Sequence, residues 1–210
     1  MNGAEFRDAV AAAKGTELER LGSKKLLVAL TDGELTSERV LQAAADSENA
    51  AHNTFAVWAD DEEHEPAQEA FADAAERERE HRERVLDALA EPDEPADGGP
   101  LHGYLRGRDD AVTRVAAGMV GRGFVADQTH KQVVSFFLNE TEPKRAELFR
   151  ELRADTEESF ERGLALLETL CETETDWEDA RAVAEYTIQV AYDDYADALQ
   201  GMGVDPKPGC

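Results

Sequence analysis

The chain has 210 residues, enough for one domain with a substantial core, and its 47 acidic and 22 basic side chains give a formal net charge of -25. This balance excludes a basic face for DNA or RNA phosphates, so we expect no nucleic-acid partner. Apolar runs fall short of the roughly 20 residues that span a bilayer, so no membrane partner is expected either. Many of the apolar residues are alanine, which favours helix over sheet.

The acidic residues are spread along the chain and are interleaved with regularly spaced apolar positions. This distribution is typical of a folded protein with an acidic surface, as in halophiles, rather than of an acidic tail or a disordered chain. The first seven residues lack the basic and apolar regions of a signal peptide, so we expect a cytoplasmic protein. In that compartment Cys171 and Cys210 are expected to be free thiols.

Apolar residues at helical spacing predict six helices, and no segment alternates strongly enough to predict a strand. In chain order these helices cover about 3–31, 37–61, 66–90, 108–139, 142–171 and 176–201. Asn2 and Glu5 have the spacing of a capping box at the start of the first helix. Gly15 and Gly22 weaken that helix, because glycine is a poor helix former.

A segment rich in helix breakers separates the third and fourth helices. It predicts a crossover linker over 91–107 between two helical hairpins, within one domain over 1–203 whose core helices span about 37–171. Thr175 and Glu178 have capping-box spacing at the start of the sixth helix, and a flexible tail is predicted over 204–210. The first and sixth helices are predicted to cover the bundle or to contact a second copy in a homo-oligomer.

Three polar residues fall on the apolar faces of the second and third helices. Glu48 precedes Phe55 by seven residues, which places its carboxylate on the buried face. Glu78 precedes Val85 by seven residues and His81 precedes it by four, so both of these side chains also point inward. Burying such groups is costly unless they are paired or bound to a metal ion, so they are the informative exceptions to the apolar pattern.

The Glu78-x-x-His81 spacing places a carboxylate and an imidazole one helical turn apart, where both can bind one ion. Glu48 lies 30 residues before Glu78, which fits two antiparallel helices that meet at mid-height. His52 follows Glu48 by one turn on the same side and is a further candidate ligand. Oxygen-rich ligation with a histidine favours iron, or manganese as the alternative, over a structural zinc site.

Glu48 followed by Glu78-x-x-His81 resembles one half of the ferritin-like, rubrerythrin-type di-iron bundle, and the resemblance extends to haloarchaeal chains labelled rubrerythrin-like. It covers roughly residues 37–171. It implies an all-α fold, a ferritin-like four-helix bundle with two additional flanking helices. It also implies an iron centre that reacts with peroxide or dioxygen in a redox or oxidative-stress role.

The second half of the chain departs from that family pattern. Thr156 and Ser159 stand where a second Glu-x-x-His would place its ligands. Asp127 on the fourth helix and His130 one turn further on are the best candidates across the bundle, with Asp155 as a third residue that could rebuild a ligand set. A mononuclear or partial metal site is therefore kept beside the di-iron one.

Two other functions remain open at this point. One is a metal-free ferritin-like bundle that acts as a binding or structural protein, in which the inward polar groups bond to each other, to arginine residues or to water. The other is a small-molecule site in a helical bundle of the thiaminase-like or haem-oxygenase-like kind, for which the chain has no specific motif.

The net charge predicts that the protein is less stable at low salt. Lowering NaCl from about 1 M to about 0.01 M lengthens the Debye length from about 3 Å to about 30 Å, so repulsion among surface carboxylates grows. We expect the thermal unfolding midpoint, measured by circular dichroism, to fall steadily over this range. A midpoint that is independent of salt would contradict an acidic surface under self-repulsion.

Overall fold

The structure is a computed structural model that describes residues 1–96 and 98–207, and within these residues it contains helices and no β-strand. The predicted all-α class is therefore confirmed. No helix in the described part combines the length and apolarity needed to cross a membrane. The α-helices are α1 Gly3–Ala13, α2 Gly15–Leu21, α3 Lys25–Leu30, α4 Ser37–Asp61, α5 Glu65–Leu86, α6 Gly99–Arg106, α7 Ala111–Arg114, α8 Arg122–Asn139, α9 Pro143–Leu170 and α10 Glu174–Gly201, and a π-helical segment Val115–Gly121 joins α7 to α8.

Two pairs of long helices form the centre of the molecule. Helix α4 packs along α5, α8 packs along α9, and α5 contacts α9 across the two pairs. Helix α10 packs against the π-helical segment and against α2, α3 and α6, so it joins the short helices to the centre. The short helices and α10 therefore pack around the two central pairs.

The apolar core consists of two separate clusters. Phe55, Trp58 and Phe71 belong to the larger one, and Phe137 and Phe149 belong to the smaller one. Helices α4, α5, α8 and α9 each contribute residues to both clusters, so the clusters lie at different heights along the same long helices. Glu48 of α4, Glu78 and His81 of α5, and His130 of α8 lie between the residues that their helix contributes to the two clusters.

The prediction of one continuous helix over 3–31 is wrong, because the structure has α1, α2 and α3 there. The breaks fall at Lys14–Gly15 and at Gly22, beside the glycines that weaken the predicted helix. A Cβ atom on Gly22 would lie 2.7 Å from Gln128 Oε1, and the Gly22 carbonyl accepts a 2.6 Å hydrogen bond from Gln132 Nε2. The bend at Gly22 is therefore in direct contact with side chains of α8.

The predicted linker over 91–107 is also partly helical, because α6 occupies its second half and packs against α4 and α10. The predicted fourth helix, 108–139, divides into α7, the π-helical segment and α8. A Cβ atom on Gly118 would lie 2.4 Å from Trp58 Cζ3, and one on Gly121 would lie 2.7 Å from Thr187 Cβ. The backbone of the π-helical segment is therefore pressed against neighbours on two sides.

The helix ends agree with the sequence in one case and differ in two others. The capping box of Asn2 and Glu5 is present at the start of α1 and is confirmed. At the start of α10 the box is formed by Thr173 and Asp176, two residues earlier than the predicted pair. Helix α5 ends at Leu86 rather than near residue 90.

The described end of the chain is tied to the fold. Lys25 Nζ donates hydrogen bonds to the carbonyls of Asp205 at 2.7 Å and Lys207 at 2.5 Å, and Tyr195 Oη donates to the Pro206 carbonyl at 3.2 Å. Residues 208–210 of the predicted tail, with Cys210, lie outside the described residues. Cys171 is a buried free thiol, and burial raises its pKa to about 11.

The packing of the π-helical segment predicts a strong cost for one methyl group. Gly118→Ala should lower the free energy of unfolding by about 1–3 kcal/mol, because its Cβ overlaps Trp58 and overpacked cores cost about that much. Gly103→Ala in α6 is the matched control, since a Cβ there has nothing within 4 Å, and it should be neutral or stabilising by about 0.5–1 kcal/mol. Urea unfolding of both variants measures the difference, and equal effects would contradict the close contact.

Candidate metal centre

Five buried polar side chains form a layer between the two apolar clusters, and we call them the polar layer. They are Glu48 of α4, Glu78 and His81 of α5, and Arg122 and His130 of α8, each at most 6 % exposed. The sequence favours this position because, on α4 and α5, apolar residues of one cluster precede the polar residues and those of the other follow them. The polar layer therefore contains charges that the surrounding core cannot solvate.

Glu48, Glu78 and His81 form a group that can hold a metal ion. One ligand atom from each residue lies within 4.8 Å of the other two, and all three side chains are buried. The Nδ1 atom of His81 is 4.0 Å from Glu48 Oε2 and 4.0 Å from Glu78 Oε2. An ion with bonds of about 2.1 Å spans ligand atoms up to about 4.2 Å apart, so the three residues need only a small contraction to share one.

The tautomer of His81 suits this ligand role. Its Nε2 atom lies 3.1 Å from the carboxylate Oδ2 of Asp155 on α9, which assigns the ring proton to Nε2. The Nδ1 atom then carries a lone pair, is buried, and has no hydrogen-bond partner in the part of the chain that the structure describes. Burial lowers the pKa of His81, which further favours the neutral ring that metal ions require. Asp155 orients the ring as carboxylates commonly do for metal-bound histidines.

Arg122 is the residue of the polar layer that the sequence analysis missed. Its Nη1 and Nη2 atoms donate to the two carboxylate oxygens of Glu78 at 2.9 Å and 3.1 Å, and Nη2 lies 3.7 Å from Glu48 Oε2. The guanidinium is therefore the positive charge that compensates the two buried carboxylates. A signal existed in the sequence, because Arg122 lies three helical turns before the apolar Val133 and so shares its inward face.

The polar layer shifts the protonation of its acidic and imidazole groups. Burial raises the pKa of Glu78 to about 7, with the neighbouring Glu48 adding to the rise and Arg122 opposing it. Burial lowers the pKa of His130 to about 4, so this ring is neutral at neutral pH. His130 Nε2 lies 3.5 Å from Glu48 Oε1, which places it beside the three-ligand group on the α8 side.

Two other predicted ligands lie away from the three-ligand group. The carboxylate of Asp127 pairs with Lys131 at 2.6 Å and with Arg153 at 2.7 Å, on the partly exposed side of α8. His52 Nδ1 lies 2.8 Å from the carbonyl oxygen of Ala75, so its ring is bonded to the backbone of α5. The structure thus brings together Glu48, Glu78 and His81 with His130 adjacent, and it places Asp127 and His52 elsewhere.

The α9 side of the centre is short of ligands, in agreement with the sequence. The Thr156 hydroxyl donates to the Leu152 carbonyl at 2.9 Å, and Ser159 accepts a 3.0 Å hydrogen bond from Arg77. Asp155 is engaged with the Nε2 atom of His81 and is 41 % exposed. Helix α9 therefore supports a ligand of α5 and does not rebuild a second Glu-x-x-His set.

Comparisons with known proteins do not add to this geometry. No family model, no curated protein and no solved structure matches the chain. The interpretation of the centre therefore rests on its own residues and contacts.

The Arg122 charge predicts a pH-dependent stability defect. Arg122→Met leaves two buried carboxylates without their cation and should lower the free energy of unfolding by about 3–5 kcal/mol at pH 8. An acid whose folded-state pKa lies above its unfolded value loses stability as pH rises through the folded value. Because the variant raises the pKa of Glu78 further, its defect should be smaller near pH 5 than at pH 8.

Arg153→Met is the matched control for that experiment, because it removes an arginine from the partly exposed pair with Asp127. Exposed pairs contribute about 0–1 kcal/mol, so this variant should show a small defect. Denaturant unfolding from pH 5 to pH 8 measures both. A pH-independent loss in Arg122→Met, or one no larger than in the control, would show that Arg122 does not compensate the carboxylates.

Proposed function

We propose that this chain is a metal-binding protein of ferritin-like, rubrerythrin-like type in which Glu48, Glu78 and His81 hold one iron or manganese ion. The observation that carries the proposal is the Nδ1 atom of His81, which is buried without a hydrogen-bond partner among the described residues and lies 4.0 Å from each of two carboxylates. A buried lone pair facing two anions is unfavourable as it stands and becomes favourable when a cation lies between them.

The donor set supports iron or manganese as the ion. Two carboxylates and one imidazole form an oxygen-rich site, whereas structural zinc sites usually contain several thiolates or histidines. The free thiol of Cys171 is outside the three-ligand group. The phase of these three residues on two paired helices is also the feature on which the resemblance to the ferritin-like family depends.

Charge balance supports a single ion. The two glutamates carry at most two negative charges, and Arg122 already supplies one positive charge through its bidentate contact with Glu78. A divalent ion brings the group to a net charge of +1, and a second one would raise it to +3 in a buried site. Arg122 therefore supplies positive charge that a second metal ion supplies in a di-iron centre.

The chemistry of such a centre is redox, in keeping with the proposed rubrerythrin-like role. A bound iron ion would supply electron exchange with peroxide or dioxygen. The chain would contribute ligands through Glu48, Glu78 and His81, ring orientation through Asp155 and a fixed positive charge through Arg122. His130, neutral and 3.5 Å from Glu48, adds a polar group on the α8 side.

A second candidate is the metal-free bundle that acts as a binding or structural protein. The observation that favours it is the Arg122–Glu78 contact, since this pair compensates part of the buried charge without any metal. In that case the polar layer would determine which helix faces meet, as buried polar groups do in some helical proteins.

Metal titration separates the two candidates. Purified protein, freed of metal by a chelator and kept in high salt, should bind close to one Fe(II) or Mn(II) per chain under anaerobic conditions, as measured by elemental analysis after desalting. Glu78→Gln and His81→Gln should abolish stoichiometric binding. Asp155→Asn should weaken it by about 10–100-fold, because residues that orient ligands have effects of that size.

Asp127→Asn is the matched control, since it removes a carboxylate of α8 that is paired with Lys131 and Arg153. It should keep full binding. Two ions per chain would support a di-metal centre instead, and no binding by a folded wild-type protein would leave the metal-free candidate. Oxidation of the Fe(II)-loaded protein by hydrogen peroxide, followed by absorbance, tests the redox role separately.

A further inference from the structure

A cavity of about 300 Å³ adjoins the polar layer. It lies on the side of the layer opposite to α5 and to Asp155 of α9. Helices α3, α4, α6, α8 and α10 form most of its wall, to which Glu48, Arg122 and His130 belong. This size lies at the lower end of the range of small-molecule sites in proteins. The cavity therefore offers room for a compact ligand beside the candidate centre.

Most of the cavity wall is apolar. Leu26 of α3, Val125 and Val133 of α8, and Phe149 of α9 are buried residues that contribute to it. Ala126 of α8 also lines it, one turn after Arg122 and one turn before His130, and its small side chain leaves space there. Such a wall favours an apolar ligand body, because each buried methylene group contributes about 0.8 kcal/mol.

The carboxylates of the wall outnumber its guanidinium groups. Asp46, Glu48 and Asp194 contribute three carboxylates, whereas Arg122 contributes one guanidinium whose two amino groups donate to Glu78. Asp194 is exposed and lies where the cavity meets solvent, near the backbone of Gly99. A ligand that enters past Asp194 therefore meets an excess of negative charge.

We propose that this cavity binds a small organic cation, an ammonium group on an apolar body, with the ammonium near Asp194 and the apolar part against the wall formed by α3 and α8. Charge complementarity selects the cation over an anion of the same shape. The proposed cation site does not depend on a metal ion at Glu48. When Glu48 is left out, the carboxylates of the wall still outnumber its guanidinium.

Matched probes test the class of ligand. Octylammonium, octanol and octanoate share one tail and differ in head-group charge, and ethylammonium keeps the charge with a much shorter tail. Isothermal titration in about 1 M salt suppresses nonspecific attraction to the acidic surface. We expect octylammonium to bind at least about tenfold more tightly than each of the other three. Metal-free and Mn(II)-loaded protein are measured in parallel, so failure of metal binding and failure of amine binding are distinguishable.

Two pairs of variants locate the binding. Ala44→Phe fills the cavity wall on α4 and should weaken octylammonium binding by about tenfold or more, while Ala59→Phe on the same helix lies outside the cavity and should not. Asp194→Asn should weaken it by severalfold, and Asp193→Asn, the neighbouring exposed carboxylate outside the wall, should not.

Equal or tighter binding of octanol or octanoate would overturn the proposal, because the charge of the wall would then not select the ligand. Ethylammonium that binds as tightly as octylammonium would also overturn it, since the apolar wall would play no part. The proposal fails as well if no probe binds to folded protein, or if both members of a variant pair change binding equally.

Discussion

The contact between Arg122 and Glu78 is the interaction on which the interior of this protein depends. Two carboxylates, Glu48 and Glu78, are buried between apolar clusters that cannot solvate them, and an unpaired charge in such a place is strongly unfavourable. Arg122 supplies two hydrogen bonds and a positive charge to the same carboxylate. Because the pair joins α5 to α8, it also connects the two helical hairpins through a buried ion pair.

The backbone just before Arg122 contributes to this arrangement. The π-helical segment Val115–Gly121 ends at the residue preceding Arg122, and two of its glycines allow it to lie against Trp58 and Thr187. A π-helical turn is wider than an α-helical one, so it changes the direction in which the following helix presents its side chains. Such segments are frequent at functional sites, and this one precedes the residue that balances the charge of the centre.

The candidate centre and the cavity use the same residues from opposite sides. Glu48 faces His81 within the three-ligand group and also contributes to the cavity wall, as Arg122 and His130 do. An ion at the centre and a ligand in the cavity would therefore influence each other through Glu48. Asp155, His81 and Glu78 lie on the far side and orient the group without contributing to the cavity wall.

The sequence by itself determined the parts that depend on local spacing. Helical periodicity assigned the long helices and turned Glu48, Glu78 and His81 inward, because each of these positions is defined relative to apolar neighbours on its own helix. Contacts between different helices cannot be derived from such spacing. Three contacts join different helices: His81 with Asp155, Asp127 with Arg153, and Arg122 with Glu78. The rotation and packing of the helices in three dimensions set these contacts. The π-helical segment likewise arises where the backbone meets Trp58 and Thr187, so only the tertiary structure decided it, whereas the breaks in the first predicted helix fall beside glycines that the sequence already shows.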